Sequence, residues 1–185
     1  MHILQPLLLL LTTLTSFSLA APQATSCKTV YPAYARVDAA RPVESYIPGF
    51  RVSQEPAAAA KQDTFVEFRV PPNSWGCTLS YYFPAGTPVT TTGLAPVEVF
   101  SVAGPLSRSP RGIDISWDYS PAPISLVGSV KFESSGSQPT TRVINSFVCA
   151  DVLAYRLSIS NGYSGGTSVE FAQSSTAGLR LTYNC

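Results

Sequence analysis

Histidine is the residue that most often serves as a general base or a metal ligand, and this 185-residue chain contains only one, His2. His2 lies in an N-terminal segment with the form of a secretory leader, in which five leucines at 7–11 precede a Ser-Leu-Ala-Ala sequence at 18–21. We expect residues 1–20 to be a signal peptide that is removed on export. The exported chain would then lack the usual proton acceptor of hydrolases.

The segment Gly162–Gly166 reads Gly-Tyr-Ser-Gly-Gly and matches the G-x-S-x-G motif that presents a nucleophilic serine in many hydrolases. That motif needs a strand before it, a helix after it and a histidine that accepts the serine proton. Residues 167–171 instead have the pattern of a strand, and none of the lysines lies three residues after a serine, as Ser-Lys chemistry requires. We therefore interpret the segment as a hairpin loop and predict no catalytic residue.

Paired carboxylates hydrolyse glycosidic bonds without histidine, so a carbohydrate-active enzyme is the enzyme class that remains. Asp114 and Asp118 lie on the polar face of a predicted strand, where four residues of extended chain separate them by about 13 Å, too far for either hydrolytic geometry. Glu98 or Asp151 could pair with one of them across strands, but the sequence selects neither. No loop has the acidic spacing of a calcium motif, so we predict no metal ion and no cofactor.

Three aromatic residues are candidates for a binding surface. Trp75 follows a Pro-Pro-Asn-Ser turn, Tyr82 points to the opposite side of a predicted strand from Tyr81, and Tyr163 lies in the glycine-rich loop. Exposed aromatic rings stack on sugars or contact partner proteins. The alternative is that Trp75 caps the core and Tyr82 packs beneath the N-terminal segment. Trp117 alternates with isoleucines and is expected in the core.

Four cysteines follow the leader, namely Cys27, Cys77, Cys149 and Cys185. An even number in an exported chain predicts two disulfide bonds, whereas a zinc site would have more closely spaced cysteines and usually histidine. Three connectivities are possible. We favour Cys77–Cys149 with Cys27–Cys185, because the second bond would tie the N-terminal segment to the end of the domain.

The elements that position these residues are predicted from hydrophobic periodicity. Residues 21–64 are rich in proline and alanine and are interpreted as an extended N-terminal segment, with the domain boundary near the tetra-alanine run at 57–60. From residue 65 onward apolar and polar residues alternate with the period of two that is typical of strands. About nine strands are predicted, at 65–70, 77–83, 97–102, 113–119, 130–133, 143–149, 153–159, 168–173 and 178–185.

No segment after residue 65 has the periodicity of an amphipathic helix. We therefore predict an all-β domain at 65–185, built as an antiparallel β-sandwich similar to a jelly roll, with a closed barrel as the alternative. Twelve basic residues against eleven acidic ones give a net charge of +1, which predicts no nucleic-acid partner. The leader is too short and too polar to span a membrane, so we expect a secreted monomer outside the cell or in the cell wall.

A family resemblance rests on a series of short segments spread along the domain. They are Phe68-Arg69-Val70-Pro71, Gly76-Cys77-Thr78-Leu79, Tyr82-Phe83-Pro84, Val97-Glu98-Val99-Phe100-Ser101, Cys149, Leu153, Leu157, Phe171-Ala172-Gln173 and the closing Gly178–Cys185. Together they resemble the fungal family named for the C-terminal domain of ubiquitin 3 binding protein. The resemblance covers about 65–185, and Cys27–Pro32 resembles the start of secreted members.

This resemblance implies a small secreted fungal protein with no catalytic residues to transfer. The family name reflects an interaction with the enzyme that activates a ubiquitin-like modifier in the cytosol, and an exported, disulfide-bonded chain would not meet that partner. We therefore predict a secreted, non-enzymatic β-sandwich that binds a cell-wall polysaccharide or an extracellular protein. A histidine-free carbohydrate-active enzyme and a passive wall-coat protein are the alternatives.

Overall fold

The computed structural model describes residues 27–185, so His2 and the expected signal peptide lie outside the described residues. Strands account for most of this range, and its helical structure is the single 3-10 turn Pro56–Ala58. Across residues 27–185, no helix has the length and apolarity that crossing a bilayer would require.

Fourteen strands follow one another along the described chain. They are β1 (Lys28–Val30), β2 (Ala33–Asp38), β3 (Phe50–Glu55), β4 (Ala59–Arg69), β5 (Cys77–Phe83), β6 (Val89–Thr92), β7 (Val97–Val102), β8 (Arg108–Ser109), β9 (Gly112–Ile113), β10 (Pro123–Val130), β11 (Thr140–Phe147), β12 (Val152–Ile159), β13 (Thr167–Phe171) and β14 (Gly178–Tyr183).

The strands form two main antiparallel sheets. The smaller sheet has the order β1-β14-β5-β11, and the larger sheet has the order β10-β7-β12-β4-β3-β13-β6, with β2 also paired to β4. The short strands β8 and β9 pair only with each other. The two main sheets pack as a sandwich, which confirms the predicted all-β sandwich.

The main core lies between the two sheets, and the alternation of β5 shows how the sequence builds it. Cys77, Leu79, Tyr81 and Phe83 are all buried, as the period of two predicts, whereas the residues between them face away from the core. Aromatic rings fill one end of this core, where Phe50 stacks on Phe171 with ring centroids 4.1 Å apart. Phe83 and Phe132 pack edge-on or tilted against these two rings.

A second, smaller core covers the outer face of the larger sheet. Phe65 alternates with residues of the main core and therefore points outward, where Leu106, Ile113 and Ile115 pack over it. The predicted strand at 113–119 is therefore wrong beyond Ile113. The chain lies across the sheet instead of extending it, and the backbone N–H of Asp114 donates to Ser107 O at 2.7 Å within this covering segment.

The N-terminal segment is part of the sandwich and not a connector. β2 and β3 both pair with β4, and the expected boundary at residue 64 lies inside β4. Prolines exclude long helices here but do not exclude strands, and the alternation of β2 places Ala35 and Val37 in the second core.

One further strand differs from its prediction, since residues 123–130 form β10 where 130–133 were expected. β10 lies at the edge of the larger sheet, and its Ile124 and Leu126 are exposed. Val130 and the partly buried Val127 contact the main core, but Ile124 and Leu126 do not, so the alternation of apolar residues along this strand does not mark a single buried face.

Both predicted disulfide bonds are confirmed. Cys77–Cys149 joins the start of β5 to the connection between β11 and β12, and Cys27–Cys185 joins the two ends of the described chain. β1 pairs antiparallel with β14, so the second bond lies at the end of this strand pair.

Candidate functional site

The outer face of the smaller sheet is the candidate binding site, and we call it the open face. Since Cys77, Leu79 and Tyr81 point inward, Thr78, Ser80 and Tyr82 point outward from the same strand. No hydrophobic cluster formed by residues 27–185 covers this face as Leu106 and its neighbours cover the larger sheet. Most side chains here are therefore available to a ligand, although Ser80 is only 3 % exposed.

A row of four hydroxyl side chains crosses the open face. Thr29 pairs with Thr182, Thr182 pairs with Thr78, and Thr78 pairs with Ser146, one from each strand of the sheet. Residues in direct register point to the same side, and neighbouring strands lie about 4.8 Å apart, so the row is about 14 Å long. The Thr78 and Ser146 hydroxyl oxygens are 2.9 Å apart, within hydrogen-bond distance.

Tyr82 lies farther along β5 on the same face and is partly covered by an arginine. The Arg180 guanidinium lies 4.6 Å from the centroid of the Tyr82 ring, a cation–π contact between diagonal positions of adjacent strands. Val143 and Thr141 of β11 are exposed beside this pair. The open face therefore combines one aromatic ring, one cation and many hydroxyls with little apolar surface.

Trp75 lies at the opposite end of the smaller sheet from Tyr82. Its side chain is 53 % exposed, and its backbone N–H donates to Asn184 Oδ1 at 2.9 Å while its carbonyl accepts from the Asn184 N–H at 2.7 Å. The five residue steps from Cys77 to Tyr82 alone span about 17 Å. The two candidate aromatics thus border one sheet at separate ends, and the hydroxyl row lies nearer to Trp75.

Tyr163 is separate from the open face. It lies in the loop between β12 and β13, packs partly buried against the main core, and its carbonyl oxygen accepts a 2.6 Å hydrogen bond from Gln54. A strand follows this loop, as predicted, so the Gly162–Gly166 segment lacks the strand-turn-helix context of a nucleophile elbow. It is not a hairpin loop, however, because β13 pairs with β3 and β6.

The acidic residues singled out in the sequence do not form a cleft together. Asp114 and Asp118 lie in the segment that covers the larger sheet, and the backbone N–H of Asp118 donates to Pro42 O at 3.0 Å. The Glu98 carboxylate accepts a 2.8 Å hydrogen bond from Ser160, and Asp151 is exposed. Within the described part of the chain, no group of three or more His, Cys, Asp or Glu side chains could hold a metal ion.

Sequence reasoning missed a buried glutamate on β4. Glu67 accepts hydrogen bonds of 2.7 Å from both the Leu106 N–H and Arg108, and Arg69 lies 3.0 Å away. Burial alone would raise the pKa of Glu67, but the hydrogen bonds and the two arginine charges outweigh it and hold the pKa below its ordinary value. Glu67 thereby anchors the segment that covers the larger sheet.

A second buried acid, Asp63, lies four residues earlier on the same face of β4. Its Oδ2 accepts a 2.7 Å hydrogen bond from Arg156, whereas its Oδ1 has no hydrogen-bond partner among the described residues. Burial raises the pKa of Asp63, since the ion pair with Arg156 offsets the lost hydration only in part. The sequence does contain a signal for these two acids. Asp63 and Glu67 lie two residues before and after the apolar Phe65, so all three share one face of the strand.

Comparison with known proteins does not assign a function to this chain. No protein-family model matches the chain, and no curated protein matches it significantly. The resemblance to the fungal family therefore stays a prediction.

Proposed function

We propose that this protein is an exported, non-enzymatic module that binds neutral cell-wall polysaccharide through the open face. The observation that carries the proposal is the in-register row of Thr29, Thr182, Thr78 and Ser146, on the same face as Tyr82 and four residues from it along β5. Each hydroxyl both donates and accepts hydrogen bonds, and so does each hydroxyl of a sugar. The row therefore suits an extended polymer that presents hydroxyls at regular intervals.

The composition of the open face favours a glycan over a protein partner. Protein interfaces bury a central apolar patch, whereas Val143 is the exposed apolar side chain that the register places among the hydroxyls of this face. Arg180 is the cation on the face, and its contact with Tyr82 holds the ring in place. The chain as a whole carries a net charge of only +1, which favours a neutral ligand.

Export is part of the proposal and is supported by the two disulfide bonds, which form and persist in oxidising compartments. The non-enzymatic role is supported by the arrangement of the buried acids, since Asp63 and Glu67 each hold an arginine. Both side chains are at most 1 % exposed, so neither can reach a substrate to protonate a leaving group or activate water.

The proposal is tested by sedimenting the purified mature protein with insoluble chitin, β-glucan and cellulose. Thr78→Val with Thr182→Val removes two hydroxyls at nearly constant shape, and we expect binding to at least one polymer to weaken roughly 10-fold or more, since each lost hydrogen bond is worth about 1 kcal/mol. Tyr82→Ala should weaken binding to the same polymer, and Trp75→Ala tests whether the ligand reaches that end of the sheet.

The matched control is Tyr119→Ala, because Tyr119 is 75 % exposed and follows the segment that covers the other sheet. Equal retention of the wild type, the double threonine variant and Tyr82→Ala would contradict the proposal. No retention of any of them on any polymer would leave a coat protein or a protein-binding module as the better interpretation.

A further inference from the structure

A cleft lies beside one edge of β2, between the chain segment at 46–49 and the β8–β9 hairpin. Its volume is about 320 Å³, within the range of about 300 to 1,000 Å³ that is usual for small-molecule sites. On the edge of β2 that faces away from β4, the Arg36–Ile47 bridge is the one strand-like pairing with the described residues. The cleft shares no lining residue with the open face.

The guanidinium of Arg111 lines this cleft and has no acidic partner. Arg111 is exposed, and no carboxylate among residues 27–185 forms an ion pair with it. Its guanidinium carbon lies 4.2 Å from the centroid of the Tyr46 ring, a cation–π contact. A guanidinium stacked on a ring keeps its N–H groups free at its edge, where they can bind a carboxylate through two parallel hydrogen bonds.

The Tyr46 ring on which Arg111 stacks is held in place from two sides. The φ of Tyr46 is 61°, in the left-handed region that a bulky residue rarely adopts. Its hydroxyl lies 2.5 Å from the Ser109 hydroxyl, which also accepts a 3.0 Å hydrogen bond from the Arg111 backbone N–H. Backbone strain of this kind is concentrated at ligand sites and persists where surrounding contacts hold it. Tyr46 and Ser109 thus fix the position of Arg111 at the cleft.

A second guanidinium, that of Arg108, adds to the positive charge of the cleft. Arg108 lies 2.7 Å from Glu67 Oε1, and Arg69 lies 3.0 Å from the same oxygen, so two cations share one acid. The Arg108 side chain is 37 % exposed and lines the cleft. Glu67 therefore does not cancel the positive charge here, and the potential favours an anion over a neutral or cationic ligand.

The remaining wall offers few partners to a ligand with many hydroxyl groups. Ala33 and Pro48 are exposed and apolar, and Tyr34 is partly buried. The Tyr46 hydroxyl is already bonded to Ser109. An apolar body would lie against this wall without losing hydrogen bonds to water, whereas the hydroxyls of a sugar would lose them.

We propose that this cleft binds a small organic carboxylate with an apolar body, such as an aromatic acid. The carboxylate accepts two hydrogen bonds from the Arg111 guanidinium, and the positive charge of Arg108 strengthens this attraction. The apolar body covers Ala33 and Pro48. This site is additional to the polysaccharide surface proposed above and does not depend on it.

The test is a titration of the isotope-labelled mature protein at constant ionic strength, followed by amide NMR shifts. The probes are benzoate and hexanoate, with benzamide as the neutral match of benzoate and inorganic phosphate as an anion without an apolar body. We expect at least one of the two acids to shift the amides of Tyr46, Ile47, Gly49 and Gly112 in a saturable manner. Benzamide and phosphate should give no saturable shift at these amides.

Two variants separate the charge of Arg111 from its planar shape. Arg111→Gln removes the charge and should weaken the affinity for the acid about 10-fold or more, since hydrogen bonds to charged groups are the strong ones. Arg111→Lys keeps the charge but loses the planar pair of donors and the stacking on Tyr46, so it should weaken the affinity about three-fold or more.

The matched control is Arg142→Gln, because Arg142 is also exposed and without an ion pair but lies on β11 outside the cleft. This variant should bind the acid as the wild type does. The proposal is overturned if neither acid gives saturable shifts at the cleft, if benzamide or phosphate binds as well as the acid, or if folded Arg111→Gln binds unchanged. If Arg111→Gln disturbs the hairpin, Arg111→Lys decides in its place. Since the open face uses other residues, either proposal can fail without the other.

Discussion

Two buried carboxylates on one strand differ in the number and charge of their partners. Glu67 has the Leu106 N–H and two arginines, whereas Asp63 has Arg156 on one oxygen and nothing on the other. Burial destabilises both anions, but only Glu67 has enough donors to reverse the effect. The two residues therefore make contributions to stability that change in opposite directions with pH.

Glu67→Gln is predicted to lower the free energy of unfolding at pH 7 by about 1–3 kcal/mol, because the arginines and the Leu106 N–H lose a charged acceptor. The pKa of Glu67 is lower in the folded state, so its contribution is present above the ordinary value near pH 4.3 and lost as the pH falls through the folded pKa. Urea unfolding at a series of pH values should show the gap between wild type and variant closing in acid.

Asp63→Asn is predicted to have the reverse pH dependence. The pKa of Asp63 is raised in the folded state, so its contribution is fully present below the ordinary value near pH 3.9 and lost as the pH rises through the folded pKa. The wild type should therefore lose stability relative to Asp63→Asn as the pH rises. The same urea series measures this, and slopes of equal sign for the two variants would contradict one of the two predictions.

At the scale of elements, β4 joins the parts of the larger sheet. It pairs with β12, β2 and β3, and its outer face supports the covering segment through Phe65 and Glu67. The period of two predicted the strand and its inward residues. This period could not predict which strands β2 and β3 pair with. Pairing depends on residues that are distant along the chain and not on local alternation.

A fragment that begins at residue 65 is predicted not to fold. It would lack β2, β3 and half of β4, exposing the strand edges that they pair with and opening both cores. Far-UV circular dichroism and NMR dispersion would show an unfolded or aggregated fragment, beside a folded control that begins at Cys27. A cooperative unfolding transition in the shorter fragment would show that the N-terminal strands are dispensable.

At the scale of the whole molecule, the chain closes on itself. β1 and β14 are neighbours in the smaller sheet, and Cys27–Cys185 links them across 158 residues of sequence. A bond that closes so long a loop restricts the unfolded chain more than Cys77–Cys149, which spans 72 residues. The open face contains strands from both ends of the chain, so its geometry depends on this closure.

Replacing Cys27 and Cys185 by serine is predicted to reduce the free energy of unfolding by about 2–5 kcal/mol while retaining the fold. The loss should appear in urea unfolding of the non-reduced variant against the wild type. The matched control is the wild type under reducing conditions, which also loses Cys77–Cys149 and should be less stable than the variant. Equal stability of the variant and the wild type would contradict the prediction.

The sequence by itself determined the all-β class, the inward faces of strands such as β5, and the formation of two disulfide bonds, while the pairing was only favoured among three possibilities. These follow from local alternation and from the number and position of four cysteines. Only the tertiary structure decided the hydroxyl row, the anchoring of Glu67 by Arg108 and the ion pair of Asp63 with Arg156. The reason is that each of these joins residues from distant strands, whose register and neighbours are set by packing of the whole sandwich.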